Sequence, residues 1–280
     1  MLRRLAVSFI AVLALLVGSG PAQAAPSPTG TGHAAGWYLA LGDSLAAGYQ
    51  PGQGDDPSGG YVGHVRDALQ QSAPKTSLVN LACSGETTSS MVEGGKCAYD
   101  EGSQLAEAVD FLHAHARFTR LVTLDIGAND VAKCGAQGLP PACVQGGLGS
   151  VAANLPVILG QLRAAAPGVP IVVLNYYDPF LAAWLTGPAG QAVAQQSVPL
   201  LGVLNGIIAD ATGAVGGSVA DVAGAFHSTD FTPVIVPSLG GSVPRNVATV
   251  CALTWMCVES NIHPNDDGYA VLAAAVVARL

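Results

Sequence analysis

Short unbroken apolar runs alternating with longer stretches of helical periodicity predict a doubly wound α/β fold, a three-layer α/β/α sandwich on a mainly parallel sheet. Three observations carry this expectation. The runs at 37–41, 77–82, 121–126 and 171–175 lack the in-out alternation of a half-solvated strand, so they read as strands covered on both faces. Helical stripes separate them. Several runs also finish in glycine and polar residues, at the strand ends where an open parallel sheet presents its loops to a ligand.

The first 24 residues stand apart from this pattern. Arg3 and Arg4 precede an uncharged run, 5–17, which gives way to Gly18, Pro21 and the small triplet Ala22-Gln23-Ala24, the arrangement of a cleaved secretory signal. The run is shorter than the ~20 residues that span a bilayer, so a retained anchor is the lesser alternative. Residues 25–35, rich in Pro, Gly, Ser and Thr, read as a flexible lead, and 36–280 as one domain.

Within that domain Tyr61, Val65 and Leu69 recur at a helical interval, and 103–115 places Leu105, Val109 and Leu112 on one stripe. Further helical patterns cover 151–166, 191–209 and 265–280. The glycine-rich stretch 213–244 is poorly periodic; a short fifth strand around 218–222 and a long irregular loop are expected there. No internal repeat or heptad pattern is present.

Composition narrows the partners. Half of the 280 residues (50%) are apolar and only 11% charged, against about 25% in ordinary soluble domains, which excludes disorder. Eleven basic residues face 19 acidic ones, a net charge of −8, and no basic run exists to grip a phosphate backbone, so nucleic acid is excluded as a partner. Loss of Arg3 and Arg4 with the leader leaves nine basic residues against 19 acidic ones, a net charge of −10. The uncharged stretches 134–162 and 179–209 are broken by Pro, Gly, Gln or Asn and fit buried helices and loops better than membrane spans.

Six cysteines, Cys83, Cys97, Cys134, Cys143, Cys251 and Cys257, in an exported chain point to disulfides. Of the fifteen possible pairings the sequence selects none, but the cysteines fall in three local couples, and pairing with the neighbour is expected. No C-x-x-C is present and no His lies at ligand spacing beside a couple, so zinc is not expected. His113 and His115, two apart on a helix, do not face one another and read as a solvated face.

The chemistry concentrates at the strand ends. Leu39-Ala40-Leu41-Gly42-Asp43-Ser44-Leu45 runs a buried strand into a serine at its carboxyl end, a position that makes Ser44 a candidate nucleophile. Cys83-Ser84-Gly85-Glu86 follows the second strand, and Gly127-Ala128-Asn129-Asp130 the third. Near the C-terminus His263-Pro264-Asn265 precedes a helix with Asn265 as its cap and Asp266 and Asp267 in its first turn. Asp43 and Asp130 read as residues holding loop shape. Tyr176, Tyr177, Phe180, Leu181, Trp184 and Leu185 serve either core packing or an acyl pocket.

In this order, G-D-S-L, a glycine block, G-x-N-D and H-P-N, the chain resembles the SGNH hydrolases, also called the GDSL esterase and lipase family. The cysteine-bearing blocks are similar to those of its secreted actinobacterial lipases and esterases. The resemblance implies a flavodoxin-like sheet and a secreted, extracellular, cofactor-free carboxylic ester hydrolase. It implies Ser44 as nucleophile, His263 as base, and Ser44, Gly85 and Asn129 as oxyanion-hole donors. The family's usual Asp three residues before the histidine is Ser260 here. The orienting group is therefore expected to be the main-chain carbonyl of Ser260, with the carboxylates of Glu259, Asp266 and Asp267 as the other candidates. A lipid or simple acyl ester is the expected substrate, and a monomer the expected state. The alternative is a catalytically inactive member that binds a lipid or glycan.

Overall fold

The computed structural model describes residues 35–134 and 140–280. The expected leader, 1–24, and nearly all of the lead, 25–35, lie outside the described residues.

Five strands, β1 (Gly36–Gly42), β2 (Thr76–Asn80), β3 (Thr119–Asp125), β4 (Ile171–Leu174) and β5 (Ser218–Ala220), form an all-parallel sheet in the order β2-β1-β3-β4-β5. This is the flavodoxin-like order, and the chain reverses its direction of travel between β1 and β3. Tyr38, Leu39, Ala40 and Leu41 of β1 and Leu121, Val122 and Leu124 of β3 are fully buried, as parallel strands covered on both faces require.

The connecting helices are α1 (Gly60–Ser72), α2 (Thr88–Glu93), α3 (Gln104–His115), α4 (Ala128–Ala132), α5 (Pro141–Ala165) and α6 (Pro188–Ala214). The chain continues through α7 (Val222–Ala225), α8 (Arg245–Leu253), α9 (Met256–Glu259) and α10 (Asp266–Val277). Helices α1 and α10 pack together, as do α3 with α5 and α5 with α6. Right-handed crossovers put α1 on one face, because β1 to β2 runs one way, and α3, α5 and α6 on the other, because β2 to β5 runs back. The result is the three-layer α/β/α sandwich.

Two regions differ from the sequence reading. Part of 213–244 closes into an antiparallel hairpin, β6 (Pro233–Val236) with β7 (Gly241–Pro244), too short and too exposed to show apolar alternation. The stretches expected as buried helices became α5 and α6, and these are surface helices. Both are long and apolar enough to cross a membrane by length and composition, yet only 33% and 22% of their most apolar windows are buried.

The cysteines pair with their neighbours, Cys83–Cys97, Cys134–Cys143 and Cys251–Cys257, with Cα separations of 6.3, 5.8 and 5.1 Å.

Candidate active site

Strand β1 ends at Gly42, whose φ of 137° puts it in backbone space that L side chains rarely adopt. A Cβ there would lie 2.2 Å from the Asp125 carbonyl oxygen, so glycine is required where β1 and β3 approach. The chain then turns sharply, with the Leu45 N–H donating to Asp43 Oδ1 (3.0 Å) and the Ala47 N–H to the Asp43 carbonyl (3.0 Å). Ser44 sits on this turn.

Beneath it lies a buried polar layer. Tyr176 Oη donates to Asp43 Oδ2 (2.8 Å), Tyr61 Oη to Asp125 Oδ1 (2.6 Å), and the Asp43 and Ala46 N–H groups to Asp125 Oδ2 (3.2 and 3.3 Å). Burial raises both carboxyls, Asp125 well above its ordinary range, with the Asp43 charge adding to the effect. Gln104 brackets the strand end, accepting from the Gly42 N–H (2.6 Å) and donating to the Gly42 carbonyl (3.0 Å).

The histidine arrives from the far end of the chain. His263 Nε2 lies 2.8 Å from Ser44 Oγ, across a sequence separation of 219. Its loop is held on several sides: the Trp255 N–H donates to the His263 carbonyl (3.0 Å), Tyr177 Oη to the Ile262 carbonyl, and Asn265 caps α10 by accepting from the Gly268 N–H (3.0 Å). The Tyr49 ring leans on the imidazole at 4.4 Å between centroids. Burial pulls the His263 pKa down to about 4, so the ring is neutral, as a proton acceptor must be.

What orients the ring is Asn261. Its Oδ1 lies 2.7 Å from His263 Nδ1 and also accepts from the His263 main-chain N–H at 3.0 Å. The second bond identifies the atom as oxygen, since the amide NH2 turned that way would oppose a donor. The proton is therefore on Nδ1, and Nε2 keeps its lone pair for the Ser44 hydroxyl. This corrects the expectation for Ser260, Glu259, Asp266 and Asp267: among the described residues none of the four is hydrogen-bonded to the imidazole. Ser260 closes α9 in the left-handed region, φ 53°, and this reversal leaves the following side chain, Asn261, beside the ring.

Asn129 opens α4, and its Nδ2 donates to the Glu86 carbonyl (2.9 Å). That bond uses one of two amide N–H groups and ties the end of β3 to the segment carrying Gly85, which has φ 79°. Asp130 accepts from the N–H and the hydroxyl of Thr88, both at 2.8 Å, joining the same loops from below.

Ser44, Asn129 and His263 border one cavity of about 270 Å3. Gly85 is not among the residues described as lining it. The walls are mostly apolar: Val131 of α4, Val144 and Leu148 of α5, and Leu200, Leu201 and Leu204 of α6 join Tyr176, Tyr177 and Phe180. Of the other aromatic-segment residues, Leu181 is buried in the core, Trp184 meets Phe231, and Leu185 is exposed. His115 is not simply solvated, since it packs against Trp37 and Phe111. Among the described residues no cluster of His, Cys, Asp and Glu could hold a metal ion.

The fold gathers Ser44, Asn129 and His263 at the carboxyl end of a parallel sheet, and the hydrolase class follows from the family match. The model of the GDSL-like Lipase/Acylhydrolase family matches residues 40–271, and the chain belongs to that family. Among solved structures it is similar to the lipase Lip_vut3 from a goat rumen metagenome, with a TM-score of 0.54 and 16% identity over 87% of this chain and 97% of that one. It is also similar to phospholipase A1 from Streptomyces albidoflavus NA297, with a TM-score of 0.52 and 22% identity over 88% of this chain and 100% of that one. LAE5, an alpha/beta hydrolase enzyme from a Lake Arreo metagenome, gives a TM-score of 0.51 and 18% identity over 88% and 96%. At these identities the likeness is one of fold. No curated protein matches the chain.

Proposed function

We propose that the protein is a secreted serine esterase or lipase, with residues 1–24 its export leader and 36–280 its single catalytic domain, acting on lipid or simple acyl carboxylic esters. The observation that carries the reading is the 2.8 Å contact between Ser44 Oγ and a neutral imidazole whose other nitrogen is held by Asn261. As the serine oxygen attacks the ester carbonyl, Nε2 takes its proton, and the resulting imidazolium delivers that proton to the leaving alcohol. Water then enters, gives a proton to Nε2 and attacks the acyl-Ser44 carbonyl, and the imidazolium returns that proton to Ser44 Oγ as the carboxylic acid leaves.

The charge that develops on the substrate oxygen meets the main-chain N–H groups of Ser44 and Gly85 and the second Asn129 N–H. The apolar walls from α4, α5 and α6 favour the acyl side of the substrate over a sugar. Three disulfides fit an oxidising, extracellular destination. The test is hydrolysis of p-nitrophenyl esters of increasing acyl length by the parent chain and by Ser44→Ala, alongside labelling with a serine-reactive phosphonate. Turnover that vanishes in Ser44→Ala and label on Ser44 are expected; an unlabelled Ser44, or turnover surviving its removal, overturns the proposal.

A further inference from the structure

We infer that the outer faces of α5 and α6 form a docking surface that seats the enzyme on an uncharged or zwitterionic lipid surface, an inference that rests on the cavity between them being catalytic.

A surface helix ordinarily turns charged residues to water. Helix α1 does so with Asp67 and α3 with Asp110. Helix α6 is largely exposed yet carries no charged residue from 188 to 209, and its exposed positions include Ala189, Val193, Leu200 and Val203, with the uncharged Gln195 and Gln196 among them. Val193, Leu200 and Val203 are 42%, 39% and 50% exposed. The neighbouring α5 repeats the pattern: it is uncharged from 141 to 162 and shows Ala152, Ala153, Pro156 and Val157 outward. With only 22% of its apolar window buried, α6 is not the core helix of a soluble domain, whose apolar residues would face inward. Exposed apolar surface without charge, on two neighbouring helices, marks a contact with a partner or a membrane.

Two observations select a lipid surface. The face is continuous with the cavity, because Leu200 is both exposed on α6 and part of the cavity wall, alongside Leu201 and Leu204. An ester whose chain leaves a lipid layer at this face therefore reaches the Ser44 cavity past Leu200. The charge balance selects the kind of surface: the chain is acidic, at −8, and the two faces offer no Lys or Arg to anionic headgroups, so attraction comes from apolar contact alone.

The test separates binding from turnover. Full-length Ser44→Ala protein is sedimented with phosphatidylcholine vesicles, with and without the added pair Val193→Glu and Val203→Glu. Neither valine lines the cavity. The expected result is co-sedimentation that the glutamate pair weakens at least tenfold, with no gain on phosphatidylglycerol vesicles. In the Ser44 background the glutamate pair is expected to hydrolyse a short soluble ester at the parent rate and to lose about tenfold on an emulsified ester. A Val193→Ser and Val203→Ser pair, milder on folding, is expected to fall between. Equal vesicle binding by parent and glutamate pair, preference for anionic vesicles, or a parent dimer that the glutamate pair converts to monomer overturns the inference. A parent chain that binds vesicles but hydrolyses no ester overturns the catalytic reading and leaves the docking surface standing.

Discussion

Asn261→Asp exchanges a neutral acceptor for a charged one with almost no change of shape. In the parent chain Oδ1 of Asn261 holds Nδ1–H of His263 at 2.7 Å, and burial keeps the imidazole pKa near 4. A full negative charge about 4 Å from the imidazolium is worth about 4 kcal/mol at an effective dielectric of 20. At 1.36 kcal/mol per pH unit that is about three units, which we halve because the site opens to solvent, leaving a rise of about one to two. With the neutral ring as the proposed base, kcat/KM is expected to fall as pH drops through the free-enzyme pKa. The acid limb is expected near pH 4 in the parent and about one to two units higher in Asn261→Asp. Asn261→Ala leaves Nδ1–H without its acceptor, a cost of about 1–3 kcal/mol, or a roughly 5- to 150-fold loss in kcat. That is far below the roughly ten-thousand-fold loss seen when a charged triad member is disabled, because an amide orients without stabilising charge. The assay is the pH–rate profile of a soluble ester in the parent, both Asn261 variants and Glu259→Gln, the last expected to match the parent. An unmoved limb in Asn261→Asp together with full kcat in Asn261→Ala would refute the reasoning, and a Glu259→Gln loss near ten-thousand-fold would return the orienting role to Glu259.

Asn129→Ala is expected to lower kcat about 100- to 1,000-fold with little change in KM, as loss of one oxyanion donor does, and a loss below tenfold in steady-state kinetics removes Asn129 from that role. Tyr176→Phe strips a 2.8 Å donor from the buried Asp43 carboxylate and should cost about 1–3 kcal/mol, a fall of several degrees in Tm by calorimetry; an unchanged Tm refutes it. Reduction of all three disulfides is expected to lower the melting midpoint by more than about 10 °C, since closing loops with sequence separations of 14, 9 and 6 is worth about 2–3 kcal/mol each. It is also expected to abolish turnover, because Cys251–Cys257 braces the segment leading to His263; full turnover after reduction counts against that bracing.

Much of this was legible in the residues. The strands over 37–41, 121–126 and 171–175 were readable because strands buried on both faces are apolar without interruption, and the end of β1 carries the Gly42 that close approach to Asp125 demands. That Ser44, Asn129 and His263 would border one cavity was readable because each occupies a strand end or helix start. Asn261 was not. The eye goes to a missing acid at 260, whereas the acceptor belongs to an Asn whose side chain bonds the main chain two residues on, a local habit of Asn that Asn261-Ile262-His263 does display. The buried polar layer was hidden because Tyr176 and Asp43 stand 133 residues apart and meet only through the sheet. The outward faces of α5 and α6 were hidden because an uncharged helix reads the same whether it is covered by protein or left bare.

The meeting of Ser44 with His263 across 219 positions has a consequence for timing. All five strands of the parallel sheet are complete at Ala220, well before the base is reached. The loop carrying His263 is laid down after the sheet carrying Ser44, and the helix that follows it, α10, buries Tyr269, Leu272 and Val276 in the core beside α1, so the same terminal segment closes the fold and brings the two side chains together.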